Sequence, residues 1–225
     1  LEDPDLRETL LAPCSAAVRT TGDCPAQIAL YWGYRIWRRP LTDDEVLRLV
    51  TVGDASIDVM GTLDAGVSSI LTDLLQSPFF LYRVEVGEAG DEGSSPRRFT
   101  SLEMASRLSF FLWDGPPDLA LLEAGENGEL VTEEGLDLQV VRLLSDERAR
   151  RTVRSLFADW LDLYELDGLT KDPTIFKHYS PDLGASAREE TLLLAEHLVF
   201  EEDADIRTLL TTRTTFTNRR LAAIY

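Results

Sequence analysis

The chain has 225 residues, 44% of them apolar, with only 14 Gly and 10 Pro. That composition supports a buried core and excludes disordered, collagen-like or low-complexity sequence. Its 22 basic and 40 acidic side chains leave a formal charge of −18, a field that repels phosphate backbones and anionic bilayers and so argues against a nucleic-acid or lipid-surface binder.

In chain order, residues Leu1 to Asp5 lack the basic start and apolar run of a signal peptide, and no stretch approaches the ~18 apolar residues of a membrane span. The expectation is a segment of a longer precursor, cut at both ends. Cys14 and Cys24 are the only cysteines. Their spacing is too wide for a Cys-x-x-Cys redox pair or haem anchor, and the only histidines, His178 and His197, lie far away for a zinc set. A disulfide closing a short loop around the turn Thr20-Thr21-Gly22-Asp23 is expected. It would add about 2–3 kcal/mol and place the chain in an oxidising compartment. Two buried free thiols are the alternative.

Pro25 suits a first helical position, and Ile28, Tyr31, Trp32, Arg35 and Ile36 recur at helical spacing up to Pro40. Thr42-Asp43-Asp44-Glu45 reads as a capping box that opens a second helix through Val46, Leu49 and Val50. A third helix is expected from about Asp58 to Leu75. Pro78 starts a short helix over Phe79–Tyr82. Between Gly87 and Arg98 the composition turns polar and Gly-rich, so residues 87–99 are read as a flexible linker. It divides an N-terminal helical subdomain, 1–86, from a C-terminal one, 100–225.

Ser101 is expected to cap the next helix, whose Met104, Ala105, Leu108, Phe110, Phe111, Leu112 and Trp113 look buried nearly all round. Asp114 to Asp118 is a sharp stop. Short helices follow near Ala120–Ala124 and around Leu136–Leu144. Another starts at Ser145 or Asp146, with Val153, Leu156, Phe157, Trp160 and Leu161 as its buried face. Thr170–Pro181 reads as a loop, Pro181 to about Glu202 as a long helix, and Asp205–Leu210 and Thr217–Ile224 as short helices. No run alternates like a strand. The fold class is all-α, an irregular multi-helix bundle of two packed helical subdomains.

Three constellations could carry chemistry. Glu190, His197 and Glu201 share one face of the long helix, a carboxylate–imidazole–carboxylate stripe suited to a divalent metal. The opposite faces are the apolar ones, so a solvated stripe is the plainer reading. Arg35, Arg38 and Arg39 precede Pro40 and could contact a partner protein, although arginines in so acidic a chain are more often internal ion-pair members. Arg83, Glu85 and Arg107 have the same choice. Finally, paired carboxylates with Trp32, Trp37, Trp113 and Trp160 could serve an extracytoplasmic hydrolase acting on polysaccharide. There is no Gly-x-Ser-x-Gly elbow, phosphate-binding Gly loop or His-Glu-x-x-His.

Four strings carry a resemblance: Tyr34-Arg35-Ile36-Trp37-Arg38-Arg39-Pro40-Leu41-Thr42, Ser77 through Glu85, Arg107 through Trp113 with Pro116-Pro117-Asp118, and Phe216 through Tyr225. They resemble the signatures of large exported proteins of planctomycetes and myxobacteria, often joined to c-type cytochrome domains. The first string lacks the family's leading arginine pair, with Tyr31-Trp32 upstream. The resemblance implies an extracytoplasmic (periplasmic or cell-surface) location and a chain that continues into further domains. It implies no catalytic residues. With no Cys-x-x-Cys-His, any haem would sit on a partner or another segment, and no cofactor is expected in this chain. The expected function is a non-catalytic structural or interaction module of an exported, cytochrome-associated assembly. Its partner would be another protein or the remainder of its own precursor.

Overall fold

A computed structural model describes residues 3–15, 17, 19, 22–89 and 97–225. The described residues are helical, without a strand; one isolated antiparallel bridge joins Glu88 to Arg98. The chain forms two compact units, Leu1–Phe111 with Gly115–Val141, and Leu112–Asp114 with Arg142–Tyr225. The expected linker, 87–99, falls within the sequence range of the first unit. Residues 90–96 of it lie outside the described residues, and its described ends pair through Glu88 and Arg98, whose amides each donate to the other's carbonyl at 2.7 and 3.0 Å.

The first unit begins with α1 (Pro4–Leu10), capped by the Asp3 carboxylate. Three helices then pack on one another: α2 (Cys24–Trp37), α3 (Asp43–Met60) and α4 (Leu63–Gln76). Their core is Leu11, Ile28, Ala29, Trp37, Leu49, Val67, Ile70 and Leu74, with Cys14 and Cys24. These two cysteines are disulfide-bonded, with Cα atoms 5.4 Å apart, which overturns the free-thiol alternative. Thr42 and Glu45 make the expected capping box. The third helix starts later than expected. Gly61 takes a left-handed φ of 72° and Thr62 caps α4, so Asp58–Met60 end α3 instead. A one-residue backbone reversal at glycine is invisible to a periodicity that continues across it.

Helix α5 (Pro78–Leu81) follows at once, capped by Ser77. The next helix, α6 (Ser101–Trp113), is capped by Thr100 and not by Ser101: the Thr100 hydroxyl accepts the Glu103 amide at 3.1 Å while Glu103 accepts the Thr100 amide at 2.7 Å. Ser101 instead accepts the Leu130 amide at 3.1 Å. The expected all-round burial also fails, because Phe111 is 77% exposed while Ala105 and Ser109 face the interior. Helices α7 (Leu119–Glu126) and α8 (Glu133–Leu144), with a 3-10 turn at Glu129–Val131 between them, complete this stretch.

In the second unit, α9 (Glu147–Trp160), capped by Asp146, packs on α10 (Leu183–Phe200) and on a 3-10 turn at Leu163–Gly168. Phe157, Ala158, Leu163, Leu192 and Ala195 form the core. Leu156 and Trp160, expected inside, are 60% and 63% exposed. The arginine face of α9 runs along the acidic face of α10: Arg150 donates to Glu196 at 3.2 Å and to Glu201 at 2.7 Å, and Arg154 to Glu196 at 3.1 Å and Glu189 at 2.5 Å. A 3-10 turn at Ile206–Leu210 and α11 (Arg219–Ala222) close the chain.

Candidate functional site

The most concentrated chemistry in the first unit lies where α2 ends. Arg38 terminates α2 in the left-handed region, φ 60°. A side chain there costs on the order of 1–3 kcal/mol unless its surroundings hold it. They do: one terminal nitrogen donates to Phe79 O at 2.7 Å and Tyr82 O at 3.2 Å, the other to Ile36 O at 3.1 Å. The guanidinium thus donates to carbonyls in and just past the end of α5, which so short a helix leaves unpaired. It is 7% exposed and has no carboxylate partner among the described residues. Burial lowers its pKa, and the nearby Arg83 charge lowers it further.

Around it the three signature strings of this unit interlock. Trp37 and Phe79 rings lie 5.4 Å apart, with Arg39 over both. Arg38 and Arg83 lie 5.7 and 4.9 Å from the Phe110 ring centre. Arg107 pairs with Glu85 at 2.6 Å and stacks on Phe99. Glu103 accepts the Val86 and Gly87 amides at 2.6 and 2.9 Å, besides that of Thr100. Burial pushes the Glu103 carboxyl up, but these amides together hold it below the usual carboxylate range. A hollow of about 250 Å³ opens here, bordered by Arg38, Arg39, Phe79, Arg83, Leu102 and Glu103 among others.

The three arginines singled out from sequence therefore have separate fates. Arg39 makes a two-pronged pair with Glu45 at 2.9 and 2.7 Å. Arg35 lies flat on Tyr31, 3.4 Å from the ring centre. Only Arg38 is buried without an acid; its neighbour Arg83, which is exposed, also has none among the described residues. Sequence reading grouped Arg83 with Glu85, yet Glu85 pairs with Arg107; nothing in the spacing tells which arginine takes the acid.

In the second unit, Glu190, His197 and Glu201 do not converge. Glu190 accepts the Tyr225 hydroxyl at 2.9 and 2.8 Å and that of Thr215. His197 Nε2 lies 3.0 Å from Glu202 and its ring meets Phe216 edge-on. Glu201 is taken by Arg150. Among the described residues no three His, Cys, Asp or Glu side chains are placed to hold a metal. The closing string packs on α10 instead: Asn218 caps α11 and donates to Ser186 at 2.9 Å, and Arg220 meets Asp182 at 3.2 Å. A second hollow, about 430 Å³, is lined by Phe176, Tyr179, Leu183 and Ile224 with Lys171 and Lys177, the only lysines of the chain. Three of the four tryptophans are fixed inside by their indole N–H. Trp32 donates to Leu10 O, Trp37 to Leu74 O and Trp113 to Leu143 O, at 3.0, 3.1 and 2.9 Å. Trp160 alone stands exposed.

Compared with known families, residues 99–225 match the PSD4 model, a protein of unknown function (DUF1592). The chain belongs to the DUF1592 family. In this DUF1592 chain, residues 24–85 also match the PSD5 model, a protein of unknown function (DUF1595). The two matches leave residues 86–98 between them. No curated protein and no solved structure matches this DUF1592 chain.

Proposed function

We propose that this chain is a helical structural and interaction module of an exported protein, working in a cytochrome-associated assembly without catalysing a reaction itself. The carrying observation is how the signature residues are used. Arg38 caps α5 and Arg39 is neutralised by Glu45, while Trp37, Phe79 and Phe110 stack under guanidinium groups. Groups spent on one another in this way build a rigid node and leave little to act on a substrate.

The disulfide supports an oxidising, extracytoplasmic compartment, and no helix among the described residues is long and apolar enough to cross a membrane. The resemblance to exported proteins joined to c-type cytochromes supports a haem protein, on a partner or on another segment of the precursor, as the neighbour. The test is mass spectrometry of the native particle together with its visible spectrum. The expected result is this chain within a larger assembly that shows haem absorption. A lone, haem-free species near 25.2 kDa overturns the reading.

A further inference from the structure

We infer that the hollow beside Arg38 and Arg83 binds a small carboxylic acid with a short hydrocarbon tail. The inference concerns a small-molecule site and goes beyond the interaction role proposed above. Its first support is donor bookkeeping. A guanidinium has five N–H donors. The Arg38 terminal nitrogens meet Ile36, Phe79 and Tyr82 carbonyls, whereas its Nε–H has no acceptor among the described residues.

The second support is charge. A buried cation is stable only when paired or fully hydrogen-bonded, and Arg38 has a second cation, Arg83, as its charged neighbour. The acids bordering the hollow are engaged elsewhere: Glu85 by Arg107, Glu103 by three backbone amides. Arg38 and Arg83 thus border the hollow with no ion-pair partner among the described residues, against one described carboxylate there without a cationic partner, Glu103, so a local positive site survives within a chain of net charge −18. The forked guanidinium geometry matches a carboxylate.

The third support is the remaining wall. Phe79, Val84, Val86 and Leu102 line the same hollow, which suits a hydrocarbon tail, and about 250 Å³ is below the range typical of drug-sized ligands, roughly 300–1,000 Å³.

The probe is hexanoate, titrated calorimetrically into the full chain beside hexanol, which has the tail without the charge, and inorganic phosphate, which has charge without the tail. The variant is Arg83→Gln, at an exposed position that loses the ring contact with Phe110, with circular dichroism to verify the fold. Saturable hexanoate binding is expected, at least about tenfold tighter than either control and weakened about tenfold or more in R83Q. Arg83→Lys, which keeps the charge and loses the fork, should fall between. The inference is overturned if hexanoate does not bind, if hexanol or phosphate binds as tightly, or if R83Q binds hexanoate unchanged.

Discussion

Glu45 closes the capping box of α3 and also clamps Arg39. The Arg39 hydrogen bonds are the main cause of its carboxyl falling from the ordinary 4.5 to about 2; burial opposes them and the Thr42 amide adds to them. A depressed carboxylate pKa means stability that is present above the unfolded value and lost as pH falls through the folded one. The window here is therefore pH 4.5 down to about 2. Glu45→Gln should be less stable than the parent at pH 7, and the gap should close across that window. Paired denaturant titrations at several pH values check this, and a constant gap would refute the ion pair as its source. At the front of the chain, Cys14 and Cys24 are almost wholly buried. Their joint replacement by Ser should cost roughly 2–3 kcal/mol by relaxing the unfolded chain, read as a drop in the urea midpoint that added reductant does not deepen.

Between elements, glycines decide how closely backbones approach. A Cβ at Gly184 would lie 1.8 Å from the Leu166 carbonyl oxygen, whereas one at Gly33 would meet only the tip of Leu41. A backbone carbonyl inside a packed turn cannot swing aside as a leucine methyl can. Gly184→Ala should therefore cost several times more stability than Gly33→Ala, with about 1–3 kcal/mol typical of overpacking. Thermal melts of the two variants measure it, and equal losses would show that the 3-10 turn at Leu163–Gly168 yields. The same scale explains the misplaced cap. Thr100-Ser101 offers two hydroxyls before Glu103, and both lie within reach of a helix start. The choice was made by Leu130, whose amide engages Ser101 and leaves the cap to Thr100. On α9, Ala149 and Ala158 are buried where Leu156 and Trp160 were expected. Arg150 and Arg154 of that helix meet Glu189, Glu196 and Glu201, and an orientation that serves these pairs turns Leu156 and Trp160 outward.

For the molecule as a whole, the excess of acid over base dominates the electrostatics. Exposed ion pairs are worth about 0–1 kcal/mol each, while a net charge of −18 repels itself over every separation inside the screening length, ~30 Å at 0.01 M salt and ~8 Å at 0.15 M. Raising salt from the first value to the second should raise the thermal midpoint. A fall would mean that the Arg150–Arg154 ladder outweighs the repulsion. The arrangement into two compact units, divided at 111–115 and 141–142, differs from the division that the polar stretch 87–99 suggested. Composition marks where a chain can bend, whereas compact units are defined by which side chains touch.

The amino-acid sequence by itself determined the helical class, most helix starts and the cysteine pairing, because each depends on neighbours close in the chain: Thr42 with Glu45, Cys14 with Cys24. It named Arg38 and Arg83 only among arginines that an acidic chain more often uses in internal ion pairs. Only the tertiary structure decided that Arg39 takes Glu45, that Arg107 takes Glu85, and that Arg38 is left buried without an acid. Forty carboxylates compete for 22 cations, and the winners are set by distances across helices, which linear spacing does not contain.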